Sequence, residues 1–134
     1  MRFTEHELTA ALHGAGKTVL AARRDVRKGK VDVDTAWEQM DRYQRFKILD
    51  ALGKDVLPVL VALPDVEVAP GTRPTFTDEQ VADTVAAQLG DGLGRLRRAV
   101  VLKARTALVQ RALASIPPRL DPDALLGPED TGSP

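Results

Sequence analysis

Two capping boxes constrain the fold of this chain more than any other feature of its sequence. Thr4 is followed three residues later by Glu7, and Thr77 is followed at the same spacing by Gln80. In such a pair each side chain accepts a hydrogen bond from the other residue's backbone N–H, which starts an α-helix. An apolar residue precedes each box and another lies four residues into the helix, as in a hydrophobic staple. The sequence therefore predicts helices that begin near residues 5 and 78.

The first helix is predicted over residues 5–28. Its apolar residues recur at helical spacing and project onto a stripe about 80° wide. They are Leu8, Leu12, Ala15, Val19, Ala22 and Val26. Gly29 follows this pattern at the position where glycine ends many helices.

A second helix is predicted over residues 35–53, with Asp34 as its N-cap and Gly53 as its end. The next segment, residues 56–63, is apolar all round, so its periodicity leaves helix and strand both open. We favour a short helix capped by Asp55, because the amphipathic helices on either side need a buried partner.

The second capping box starts a helix predicted to end near Leu89, where the glycine-rich run 90–94 interrupts it. A last long helix is predicted over about 93–116. Residues 117–134 are rich in proline and carry four acidic side chains, so we interpret them as a disordered acidic tail. We expect an all-α single domain of four to five helices, irregular or bundle-like, over residues 1–116.

The composition excludes several classes of protein. The chain has no cysteine, which rules out disulfides and thiol-based metal or redox chemistry. No apolar run approaches the roughly 20 residues of a membrane-spanning helix, and the N-terminal residues do not form the apolar core of a secretory signal. We therefore expect a cytoplasmic protein without a membrane partner.

The triplet Gly16-Lys17-Thr18 matches the end of the phosphate-binding loop G-x-x-x-x-G-K-[ST]. The first glycine of that loop would stand at position 11, which is Ala11. The loop also follows a buried strand, whereas here the apolar stripe of the first helix runs through the triplet unchanged. We therefore interpret the triplet as helical, and we expect no enzymatic activity and no nucleotide, metal or other cofactor.

Gly14 and Gly16 are unusual inside a predicted helix, since each costs about 1 kcal/mol relative to alanine. Neither lies in the apolar stripe. Two interpretations are open. We favour small residues on a solvent-facing surface; the alternative is that another part of the chain approaches the helix closely at these positions.

The net charge of zero hides a strong segregation. Residues 93–120 carry seven basic side chains and no acidic one, whereas residues 31–92 carry twelve acidic and five basic ones. Blocks of this kind either neutralise each other within the fold or face a charged partner.

Two groups of basic residues are candidate partner contacts. On the first helix, a basic row opposite the apolar stripe comprises His6, His13, Lys17, Arg24 and Lys28. On the last helix, Arg98 and Arg105 project together. Other cations of that helix, Arg97, Lys103 and Arg111, lie in or beside the face that carries Leu96, Val100, Ala104 and Ala107.

Three of the five aromatic residues lie within ten positions of each other. Trp37 is expected to anchor the core, because large aromatic side chains dominate core energetics. Tyr43 and Phe46 project from other faces, so they are candidate anchors for a partner.

The sequence therefore predicts a small non-enzymatic helical protein that binds another protein, or a second copy of itself, through charge-segregated helix faces. The alternative is a regulator that binds nucleic acid through the basic faces of the first and last helices. The candidate contacts are His13, Lys17, Arg24, Lys28, Tyr43, Phe46, Arg98 and Arg105.

Overall fold

The computed structural model describes residues 1–23, 28–29 and 32–119, and all regular secondary structure within these ranges is α-helical. The helices are α1 (Glu5–Ala21), α2 (Val33–Gln39), α3 (Arg42–Ala62), α4 (Asp78–Leu89) and α5 (Arg95–Ala114). The predicted all-α fold of four to five helices is confirmed for the described part of the chain.

Both capping boxes form. The Thr4 hydroxyl accepts from the Glu7 N–H at 3.0 Å, and the Glu7 carboxylate accepts from the Thr4 N–H at 2.9 Å. The corresponding distances between Thr77 and Gln80 are 3.1 and 2.9 Å. Helices α1 and α4 therefore begin where the sequence predicted.

Helix α1 ends at Ala21, so the predicted end at Lys28 and Gly29 is wrong. Residues 24–27, which carried the last part of the predicted stripe, lie outside the described residues. Helix α2 lies against α1, with the Trp37 ring next to Gly16.

The helix predicted over 35–53 is divided in two. Asp32, not Asp34, caps α2 by accepting from the Thr35 N–H at 3.2 Å. Met40 is extended, with ψ of 141°, and Asp41 then caps α3 by accepting from the Gln44 N–H at 2.7 Å. Asp41, in the middle of the single predicted helix, is thus the N-cap of a separate helix.

Helix α3 continues through Gly53 and Asp55 to Ala62, so neither residue ends or caps a helix. The helical interpretation of residues 56–63 is confirmed, but as the second half of a longer helix. Pro58 lies inside α3 and has no N–H for the Lys54 carbonyl. Lys54 and Pro58 are both exposed, so water can reach the Lys54 carbonyl.

The main core lies where α1, α3, α4 and α5 meet. Its buried side chains are Ala11, Ala15, Leu52, Val56, Val59, Leu60, Leu63, Phe76, Val81, Val85, Val109, Ala112, Leu113 and Ile116. A smaller cluster of Leu20, Trp37 and Met40 lies beneath α2. The predicted core role of Trp37 is confirmed, since its side chain is buried.

Most of the predicted tail, residues 120–134, lies outside the described residues. Its described beginning contacts the helical domain. The Arg119 N–H donates to the Thr72 carbonyl at 2.7 Å, and the Gly71 N–H donates to the Arg119 carbonyl at 2.6 Å. The chain is therefore held against the loop before α4 as far as Arg119.

Candidate protein-interaction surface

Helices α4 and α5 form an antiparallel hairpin. Near the start of α4, the Gln110 amide donates to the Asp78 carboxylate at 3.0 Å. Near its end, the Arg98 guanidinium donates to the carbonyl of Ala86 at 2.9 Å and to that of Gly90. These contacts fix the two helices side by side over the whole length of α4.

One side of α5 is exposed and largely aliphatic. We call it the α5 face and define it by Leu96, Val100, Lys103, Ala107 and Arg111, whose spacing places them on one side of the helix. Leu96 is 83% exposed and Val100 is 68% exposed. Such exposure of large aliphatic side chains is typical of a binding surface when several of them are contiguous.

A groove of about 750 Å³ adjoins the α5 face and separates it from the first half of α4. Its apolar lining consists of Ala82, Ala99, Leu102 and Ala107. Lys103 and Arg111 line its α5 side, and Asp78 and Glu79 line it at the start of α4. Thr106 and Gln110 also line it. The surface of the groove is therefore largely apolar, with opposite charges on its two walls.

The cations of α5 fall into two sets. Arg98 caps the end of α4 as described, and Arg105 pairs with the Asp55 carboxylate at 3.4 Å. Both were predicted as partner contacts, but both bond within the chain. The remaining cations, Arg95, Arg97, Lys103 and Arg111, form no ion pair with the described residues.

The basic row predicted on α1 does not form a continuous exposed row among the described residues. Lys17 pairs with the Asp34 carboxylate of α2 at 2.9 Å, and the His13 ring packs edge-on against Trp37 with centroids 5.7 Å apart. Lys28 lies beyond the end of α1, and Arg24 lies outside the described residues. Helix α2 therefore covers part of the face on which the row was predicted.

The triplet 16–18 lies inside α1, where its amides belong to the helix. Thr18 donates its hydroxyl to the Gly14 carbonyl at 3.0 Å. The favoured interpretation of the two glycines as surface residues is wrong. A Cβ on Gly14 would stand 1.8 Å from the Ser115 Oγ, and one on Gly16 would stand 2.8 Å from a ring carbon of Trp37.

The aromatic residues predicted as anchors both project from α3. Tyr43 is 67% exposed and Phe46 is 59% exposed. The Lys47 ammonium lies 5.2 Å from the centroid of the Tyr43 ring. His13 also reaches this region, where it lines a shallow depression with Phe46.

The α5 face was the feature that sequence reasoning missed. The helical spacing of Leu96, Val100, Ala104 and Ala107 was visible, but an apolar face of a helix is ordinarily its buried one. In the structure α5 buries the opposite side, with Val109, Ala112 and Leu113 in the core. The cations among these apolar residues were the available signal that this side faces water.

The described residues also bear on metal binding and on membrane insertion. Among those described, no three His, Asp or Glu side chains come close enough together to hold a metal ion. No helix in the described part is long and apolar enough to cross a membrane. Comparison of the chain with models of protein families, with curated proteins and with solved structures finds no match.

Proposed function

We propose that this chain is a protein-binding module whose α5 face and adjoining groove receive an acidic amphipathic helix of another protein. The observation that carries the proposal is the exposure of Leu96 and Val100 beside an apolar groove. Fully burying a side chain of this size yields about 1.5–3 kcal/mol. A partner that covers both residues therefore gains a substantial part of an ordinary binding free energy.

The shape of the surface favours a helical partner. The groove follows α5 for about three turns, from Ala99 to Arg111. An amphipathic helix can place side chains three and four residues apart into such a groove.

The charge of the surface favours an acidic partner. Arg97, Lys103 and Arg111 surround the exposed aliphatic residues, and α5 contains no acidic residue. Two copies of the chain meeting through this face would bring cations together, which costs free energy. We therefore propose a partner that differs from this chain. Its acidic side would lie along α5, away from Asp78 and Glu79.

The experiment uses a synthetic helical peptide with leucines three and four residues apart on one face and glutamates along one edge of that face, where they can reach the cations of α5. We expect saturable micromolar binding by isothermal titration calorimetry at low salt. Replacing Leu96 and Val100 together by serine is expected to weaken it by about tenfold or more. The control is Val61→Ser on α3, which removes a comparably exposed aliphatic residue and is expected to leave binding unchanged.

A charge test completes the design. Lys103→Glu is expected to weaken binding, whereas Lys54→Glu, on α3, is not. The same peptide with lysines in place of glutamates should bind more weakly to the unaltered chain. The proposal would be contradicted if the glutamate and lysine peptides bound the unaltered chain equally well. It would also be contradicted if the glutamate peptide bound the serine variant as tightly as the unaltered chain. Sedimentation showing a stable homodimer that the serine variant abolishes would contradict it as well.

A further inference from the structure

A second exposed surface lies at the start of α3 and differs in chemistry from the α5 face. We call it the α3 ridge and define it by Arg42, Tyr43, Arg45, Phe46 and Lys47. Its two exposed side chains of large apolar area are aromatic rings rather than aliphatic groups. They lie three residues apart, about one helical turn, and therefore project side by side.

The α3 ridge stands between two depressions. One, of about 460 Å³, is lined by Val19 of α1, by Arg23 just after that helix and by Lys47. The other, of about 290 Å³, is lined by His13, Arg42, Arg45 and Phe46. The aromatic ridge is therefore convex, with cationic side chains on both of its flanks.

Neither of the two acids that flank the ridge in sequence forms an ion pair with it. Residues 42–49 contain no Asp or Glu. Asp41 caps α3 through the Gln44 N–H, and Asp50 pairs with Lys54 at 3.6 Å. Among the described residues, Arg42, Arg45 and Lys47 form no ion pair.

These features suit a flexible anionic chain that carries planar groups. Exposed aromatic rings stack on bases of any sequence, and flanking cations follow the phosphates, which is how single strands are bound without sequence preference. Arginine is well suited to this task because its planar guanidinium binds phosphate at two points. A duplex is less suitable, since its bases are already stacked and a convex ridge cannot reach them. An acidic protein segment would use the cations but would leave the two rings without planar partners.

We propose that the α3 ridge binds single-stranded nucleic acid, with Tyr43 and Phe46 stacking on bases and Arg42, Arg45 and Lys47 contacting phosphates. This binding is separate from the proposed function of the α5 face and does not depend on it.

The test is the fluorescence anisotropy of a labelled oligodeoxythymidine titrated with the full chain at low salt. Tyr43→Ala and Phe46→Ala are each expected to raise the Kd by about tenfold. Tyr43→Phe keeps a stacking ring and should bind nearly as the unaltered chain does. Arg42→Gln should weaken binding and lower the slope of log K against log salt by about 0.7, the value for one phosphate contact with a single strand.

The controls lie on the same protein. Val61→Ala changes an exposed residue of α3 beyond the ridge and should not alter the Kd. Arg97→Gln removes a cation of α5 and should also have little effect. Because the altered side chains are exposed, every variant is expected to retain the helical circular dichroism spectrum of the unaltered chain.

Three results would overturn the proposal. The first is no binding of the oligonucleotide at low salt. The second is an affinity that is unchanged when both rings are removed, or one that is weakened as much by Arg97→Gln as by Arg42→Gln. The third is displacement of the labelled strand by poly-L-glutamate as readily as by unlabelled strand, which would identify the ridge as a site for acidic protein.

Discussion

Glu7 and Arg119 are joined by two hydrogen bonds across nearly the whole described length of the chain. The Arg119 Nε donates to one carboxylate oxygen at 2.9 Å, and the Nη2 donates to the other at 3.3 Å. Burial raises the pKa of Glu7, but the hydrogen bond and charge of Arg119, with the hydrogen bonds to Thr4, outweigh it and lower the pKa. The carboxylate therefore serves both as part of a helix cap and as an anchor for the end of the described chain.

Replacing Arg119 by alanine is expected to lower the free energy of unfolding by about 2 kcal/mol, because it leaves the buried Glu7 carboxylate without its cation. Arg119→Lys keeps the charge but not the paired geometry, so its loss should be smaller. Urea denaturation measures both. Arg95→Ala, at an exposed position of α5, is the control and should change stability little; an equal effect of the two alanine variants would contradict the role given to the ion pair.

The lowered pKa of Glu7 also predicts how stability depends on pH. Because folding lowers this pKa, the unfolded chain takes up the proton more readily than the folded one. The stabilisation is present above the pKa of Glu7 in the unfolded chain and is lost as the pH falls through its lower pKa in the folded chain. In this acidic range, the free energy of unfolding should fall more steeply with decreasing pH in the unaltered chain than in Glu7→Gln. If the free energies of unfolding of the two chains changed in parallel with pH, Glu7 would not contribute to the pH dependence of stability.

The helix starts could be predicted where one short segment holds the whole signal. The boxes of Thr4 and Thr77 need only a residue three positions away, and both form. The division at Asp41 carries a local signal too, an aspartate able to cap. The continuous apolar pattern from Trp37 to Leu52 concealed it, because two helices that pack on the same core can share a periodicity.

The contacts between distant segments could not be predicted in the same way. Arg119 belongs to a proline-rich segment whose composition is typical of disorder, and only the fold brings it to Glu7. Likewise, the sequence shows that Arg98 and Arg105 are cations on one side of a helix, but not that carbonyls and Asp55 lie opposite them. Exposure of the α5 face depends on which side of α5 the helices α4 and α1 cover. The sequence of α5 alone does not show this.

At the two glycines of α1, helix propensity and steric fit predict opposite effects of an alanine substitution on stability. These positions therefore test the packing of α1. On propensity alone, Gly14→Ala and Gly16→Ala would each stabilise by about 1 kcal/mol. A Cβ at Gly14 would overlap Ser115, and one at Gly16 would overlap the Trp37 ring. We expect each substitution instead to destabilise by about 1–3 kcal/mol, as overpacking does.

Gly53 is the matched control for these substitutions. It lies inside α3, where an added Cβ would have only an ordinary contact of 3.6 Å with Leu57. Gly53→Ala is therefore expected to stabilise by up to about 1 kcal/mol. Thermal or urea unfolding of the three variants shows whether each substitution stabilises or destabilises the fold. Stabilisation by alanine at Gly14 or Gly16 would show that α1 does not approach its neighbours as closely as the structure indicates.

Arg98 and Arg97 are adjacent cations of α5 with different predicted effects. Arg98 donates to carbonyls at the end of α4, which otherwise have no helical donor. Arg98→Ala is expected to destabilise by about 1–2 kcal/mol, because both hydrogen bonds and the favourable position of a cation at a helix C-terminus are lost. Arg97→Ala should be nearly neutral in stability. Equal stabilities of the two variants in urea would contradict the structural role of Arg98 and return it to the candidates for contact with a partner.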